Sequence, residues 1–199
     1  MKIAVFFLAV SGLLAQNQEL GLTLGRIVDL SRSAPSGSID LSGGVALQAN
    51  YGYRFLRTKH AAYSAEIHFL ANGQRTIASS NPAATRDVAT AFVTPGLRVK
   101  LRPGKRISPY GVVGGGYALY EQSFFRLDGA SNQAPRFTHR GAFMYGGGVD
   151  TPLWRWIGLR FEVRDFYTGN PSFNIPVNNS GQHNVVAGGG FVLRWGGHE

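Results

Sequence analysis

Apolar and polar residues alternate one by one along most of the chain, in segments of about ten residues. Residues 45–55 show it most clearly. Val45, Leu47, Ala49, Tyr51, Tyr53 and Phe55 fall on one face, and Ala46, Gln48, Asn50, Gly52 and Arg54 on the other. Further on, Ile157, Leu159, Phe161 and Val163 oppose Gly158, Arg160, Glu162 and Arg164. Near the end, Val185, Ala187, Gly189, Phe191, Leu193 and Trp195 oppose Val186, Gly188, Gly190, Val192 and Arg194. A period of two puts successive side chains on opposite faces of a strand, so these are strands with two chemically different faces. Eight are expected, at roughly 18–26, 43–55, 61–71, 88–101, 109–121, 140–151, 156–166 and 183–195. The fifth contains Gly114-Gly115-Gly116 and has no clear phase.

The connections alternate in length. Those after the first, third, fifth and seventh segments are long (27–42, 72–87, 122–139 and 167–182) and rich in Ser, Asn, Pro, Gly and Ala. Those after the second, fourth and sixth are short (56–60, 102–108 and 152–155). An even strand number with short turns at one rim and long loops at the other is the plan of a membrane-spanning barrel. The expected fold is therefore all-β, an eight-stranded antiparallel up-and-down transmembrane β-barrel. A soluble lipocalin-like barrel or a sandwich would show the same period with its faces exchanged. Three features favour lipid outside. Phe55, Tyr110, Trp154, Trp156 and Trp195 gather near the short-turn rim, where aromatic rings suit the headgroup level. The short turns are basic, with Arg57, Lys59, Arg102, Lys105, Arg106 and Arg155. The less apolar face mixes Gly, Ser and Thr with charges of both signs.

The first residues change the picture of where the chain goes. Met1-Lys2, the apolar run Ile3 to Leu14, and Ala15 before Gln16-Asn17-Gln18 describe a secretory leader over 1–15, leaving 16–199 as one barrel domain. The run is too short to span a bilayer as a helix, which needs about 20 residues. With no cysteine, an exported domain of this size must be held together without disulfides, and a closed barrel is one solution. Charged residues at 16% and 27 glycines fit β architecture. The net charge of +9 is spread along the chain, which argues against nucleic acid as a partner.

Several stretches resemble one family. They are Ser108-Pro109-Tyr110 with the glycines to Gly116-Tyr117, Phe143 to Asp150, Gly158 to Asp165, and the closing Gly188 to Trp195. Together they resemble the small, eight-stranded OmpA- or OmpX-like outer-membrane β-barrels, over essentially the whole mature chain. The resemblance implies an outer membrane of the Gram-negative type, both termini periplasmic, a monomer, outer-membrane lipid as solvent, and insertion machinery that reads the last strand. Such barrels usually end on an aromatic residue, whereas Trp195 is followed by four residues here.

The inward face is expected to carry Arg54, Glu66, His68, Arg98, Lys100, Asp150, Arg160, Glu162, Arg164 and Arg194. An eight-stranded barrel is just wide enough for side chains to fill, and charges in it must pair to offset desolvation. One reading is an interlocking ion-pair plug. The plug implies a structural or surface-interaction role. The alternative is a transport barrel, either a narrow anion-preferring pore, because the inward bases outnumber the acids, or a binder that passes a small hydrophobic ligand sideways into the membrane. Ser64, Glu66 and His68 share a strand face but span about 13 Å and do not converge by themselves. His60, His68, His139, His183 and His198 show no metal-ligand spacing, and the glycine runs lack a phosphate-loop context. No catalytic residue, metal or cofactor is expected. Phe124, Phe125, Phe137 and Phe173 lie in the long loops, whose ligand, if any, the sequence leaves open.

Overall fold

The computed structural model describes residues 18–29, 32–34, 37–176 and 181–196. The expected leader, 1–15, lies outside the described residues, as do the last three residues. The strands are β1 (Gln18–Asp29), β2 (Arg32–Ala34), β3 (Gly37–Leu41), β4 (Gly44–Arg57), β5 (Ala61–Ser79), β6 (Asp87–Leu101), β7 (Ser108–Gln122), β8 (Phe137–Pro152), β9 (Ile157–Thr168) and β10 (Gln182–Trp195). Eight of the ten form a ring of antiparallel neighbours, in which β1 pairs with both β4 and β10 and β5 closes onto β6. Closure leaves the ring with no free sheet edge, so each strand has a pairing neighbour on both sides within the wall.

The two faces are assigned as the alternation implies. Val45, Leu47, Tyr51, Phe55, Ile67, Phe69, Phe161, Val163 and Phe191 are exposed on the outer wall, while Gln48, Asn50, Glu66, Arg160, Glu162 and Arg164 are buried inside. An apolar exterior around a polar interior inverts a soluble domain and requires an apolar solvent. Trp154, Trp156, Trp195 and Phe55 are all exposed at the short-turn end.

Two parts of the wall differ from the sequence expectation. The third barrel strand was expected to stop near residue 71, but β5 continues to Ser79, through a bulge between Asn72 and Arg75. Its polar extension Gln74-Arg75-Thr76 resembles loop sequence. It becomes strand because Ile77 is buried and Ile77 to Ser79 pair with β3, which folds back from the first long connection with β2. The second long loop thus shrinks to a tip of residues 80–86. In the glycine-rich β7, the missing phase has a local cause. Pro95 of β6 has no N–H, and the β6–β7 ladder skips from Val93–Tyr117 to Gly96–Gly114. There the strands come so close that a Cβ at Gly116 would run into the Val93 carbonyl.

Candidate functional site

The site is the lumen. Its short-turn half holds a charged network drawn from six strands. Asp150 of β8 takes two parallel hydrogen bonds from Arg160 of β9, Nε to Oδ1 at 2.8 Å and Nη2 to Oδ2 at 2.9 Å. The same carboxylate meets Lys100 of β6 at 2.5 Å and Arg194 of β10 at 3.0 Å. Glu162 accepts from Arg164 (2.8 and 3.0 Å), from the Tyr110 hydroxyl (2.7 Å) and from Thr23 (3.1 Å). Glu66 pairs with Arg164 at 2.6 Å and with Arg98 at 2.9 Å. Charge-assisted, partly bidentate contacts of this kind are the strong ones, and they fix side-chain geometry as well as energy.

Two members of this network were not expected from the sequence. Glu19, at the start of β1, pairs with Arg98, with Arg160 (2.6 Å) and with Lys100 (3.0 Å). Asn50 accepts from Arg160 Nη1 at 2.6 Å. The signal for both was strand phase, since Glu19 alternates with Gly21 and Thr23, and Asn50 with Gln48. With Glu19 included, Arg98, Lys100, Arg160, Arg164 and Arg194 face four carboxylates.

Tyr110 requires a correction. It was placed in the membrane-interface girdle, but it is 5% exposed and sits inside the lumen. Pro109 takes the outward phase, and the phenol ring lies beneath the guanidinium carbons of Arg160 (5.0 Å) and Arg98 (5.5 Å). Arg98 therefore combines ion pairs with a cation–π contact to Tyr110. Inward glycines make room for these groups. A Cβ at Gly52 would strike the Arg98 guanidinium, and one at Gly148 would strike the Tyr110 ring.

The remaining expected members fall at the margins. Arg54 is half-buried beside the bulge that shifts the β4–β5 register between Arg54 and Leu56. His68 is fully buried, yet neither ring nitrogen makes a hydrogen bond among the described residues. It packs against Phe166, ring centroids 5.5 Å apart, and so belongs to the layer above. Ser64, Glu66 and His68 do not hydrogen-bond to one another among the described residues, because Glu66 is committed to Arg98 and Arg164. Among the described residues no three His, Cys, Asp or Glu side chains are grouped to hold a metal ion.

That upper layer is built around aromatic and aliphatic side chains, with buried polar groups such as Asn184, Thr168 and Arg75 among them, and the sequence reading had not separated it from the charged half. Phe92 and Phe166 lie 4.9 Å apart, Phe92 meets Tyr120 edge-on at 6.1 Å, and Ile27, Leu70, Val88 and Val186 complete the fill. The loops close over it. Phe173, placed in a long loop by the sequence, is fully buried against Tyr120 at 5.8 Å, on a backbone with φ 46. Thr85 donates its backbone N–H to the Phe173 carbonyl (3.1 Å), Leu127 to Ala84 (2.9 Å) and Arg86 to Phe125 (3.0 Å), so three loops are tied together. Phe124 and Phe125 stay exposed, with Arg136 over the first ring and Arg86 over the second.

The outer wall also carries polar groups that the sequence reading had left aside. Asp165, in outward phase with Phe161 and Val163, accepts from the Tyr145 hydroxyl (2.7 Å) and contacts His183 Nδ1 (2.6 Å). His139 contacts the Tyr117 hydroxyl in the same zone. Hydrogen-bonded polar pairs are tolerated where the wall leaves the hydrocarbon, so they mark its upper limit near the long loops.

A closed eight-stranded ring with short turns at one rim, an apolar outer wall and a side-chain-filled lumen defines a class: the small transmembrane β-barrels of the outer-membrane type. Solved structures of that class share the fold. The chain is similar to neisserial surface protein A at TM-score 0.56 and 14% identity, over 88% of this chain and 96% of that one. It is similar to OprG from Pseudomonas aeruginosa at TM-score 0.55 and 14% identity, over 91% and 97% of the two chains. The outer membrane protein AlkL matches at TM-score 0.51 and 13% identity, over 91% of each chain. Identities this low carry the fold alone. No family model matches the chain, and no curated protein matches it by sequence.

Proposed function

We infer that the protein is an integral outer-membrane barrel with a plugged lumen, serving a structural or surface-interaction role without catalysis. In this reading it is exported by its leader, inserted by machinery that reads the β10 strand ending in Trp195, and works as a monomer. The observation that carries the plug is the interior pairing of Glu19, Glu66, Asp150 and Glu162 with five cations, roofed by the Phe92–Phe166–Phe173 layer. The narrow anion-preferring pore rested on unmatched inward bases. Glu19 supplies a further acid, and the side-chain-filled aromatic layer stands in the path an ion would take. The loop surface around Phe124, Phe125, Arg86 and Arg136 remains for contact outside the cell, on a scaffold held rigid from below.

Planar-bilayer recording of the purified barrel tests this. A plugged lumen gives a nearly silent membrane with no resolved unitary current. Steady, anion-selective steps in every insertion would replace the plug with the pore.

A further inference from the structure

The short-turn rim carries a feature the plugged barrel leaves unused. Two neighbouring turns, between β4 and β5 and between β6 and β7, enclose a groove of about 670 Å³ lined by Lys59, His60, Arg102, Lys105, Arg106 and Ile107. The turns are joined, since Arg102 donates its backbone N–H to the His60 carbonyl at 2.9 Å. Ser108 Oγ donates to the Arg102 carbonyl at 2.9 Å and lies 3.3 Å from that of Lys105, pinning the second turn from within. Arg102 takes φ 48, in the left-handed region that residues other than glycine rarely occupy, so the tertiary structure holds it there. Lys59, Arg102, Lys105 and Arg106 make no side-chain ion pair among the described residues. No short turn contains an Asp or Glu. The acids closest in the fold, Glu19 and Asp150, are turned inward onto Lys100.

The groove's outer lip is lipid wall. Ile107 is 61% exposed, and Leu101 and Leu56 are exposed beside it. The tryptophans of the same rim set this level at the membrane–water boundary. A cluster of bases that has no ion pair among the described residues and opens sideways onto apolar wall fits a phosphate with acyl chains attached better than a free ion in water.

The geometry points to a binding site for an anionic phospholipid of the inner leaflet, its phosphate between Lys59, Arg102, Lys105 and Arg106 and its acyl chains along Ile107 and Leu101. This rests on the membrane-spanning reading of the wall but not on the plug. The test is native mass spectrometry of the full barrel in neutral detergent with phosphatidylglycerol, with phosphatidylethanolamine of the same chains, and with inorganic phosphate. Wild type retains one phosphatidylglycerol with a roughly tenfold preference over phosphatidylethanolamine, as expected for bases placed at the headgroup. K105Q/R106Q loses the preference, and R155Q, in the third short turn outside the groove, keeps it. A heat-dependent gel shift confirms that each variant is folded. Equal retention of both lipids, or a preference untouched by K105Q/R106Q, overturns the site. Equal loss in R155Q reduces it to diffuse rim charge. Complete displacement by millimolar phosphate makes it a free-anion site. A wild type that is soluble without detergent would instead overturn the membrane reading itself.

Discussion

At the scale of single residues, the lumen is decided by four carboxylates and what surrounds each. Glu162 has partners on both oxygens, Arg164 and Tyr110 on one and Thr23 on the other. Replacing it with Gln leaves Arg164 buried with one carboxylate fewer, and breaking a buried pair from one side costs about 3–5 kcal/mol. The exposed pair Arg136–Glu121 provides the contrast, since a surface ion pair contributes below about 1 kcal/mol. Urea unfolding in lipid vesicles should therefore separate E162Q from E121Q clearly, and equal, small shifts would show that the interior pairs contribute nothing. Most of the network was legible from strand phase: Glu66, Arg98, Asp150, Arg160, Glu162 and Arg164 all point where alternation puts them. Glu19 lies at the second position of the expected strand 18–26 and was missed although its phase with Gly21 and Thr23 was readable, because neither of those neighbours is charged. Tyr110 was misplaced because an aromatic at a strand end looks the same in sequence whether it faces lipid or lumen.

At the scale of elements, the strands were readable and their ends were not. Barrel strands need period two only where one face meets lipid, and β5 continues beyond that zone on the strength of Ile77 and pairing with β3. Nothing local distinguishes Gln74-Arg75-Thr76 from loop. The glycines of β7 concealed phase for a related reason: Gly114 and Gly116 are chosen by the backbone of β6 across from them, at Pro95, and a pairing partner cannot be seen in one strand alone. A side chain at Gly116 must push the strands apart, which overpacking data put at about 1–3 kcal/mol. G116V should lower the folded fraction on refolding into detergent, whereas G73A, whose Cβ would meet open space at the β5 bulge, should not. Equal yields would mean that the close approach of β6 and β7 relaxes without cost.

At the scale of the whole molecule, the alternation of long and short connections was the most informative signal, and it described a closed ring before any contact was known. The two halves of the lumen were beyond that signal. With the paired carboxylates below and the aromatic cluster above, they are separated by which inward positions lie at the same height, and height depends on strand register. Loop structure was beyond it too, because Phe173 is buried by contacts from β7 and from the loop tip at 80–86, distant in sequence.

The claim on which the rest depends is that the ring is closed and its apolar wall faces lipid. Gel mobility of the protein from isolated outer membranes, boiled and unboiled in adjacent lanes, tests it most directly. A faster unboiled band that collapses to the denatured position on boiling is the predicted result, since a closed ladder resists detergent until heat opens it. A single band in both lanes, with the protein in the soluble fraction, would contradict it and exchange the two faces of every strand.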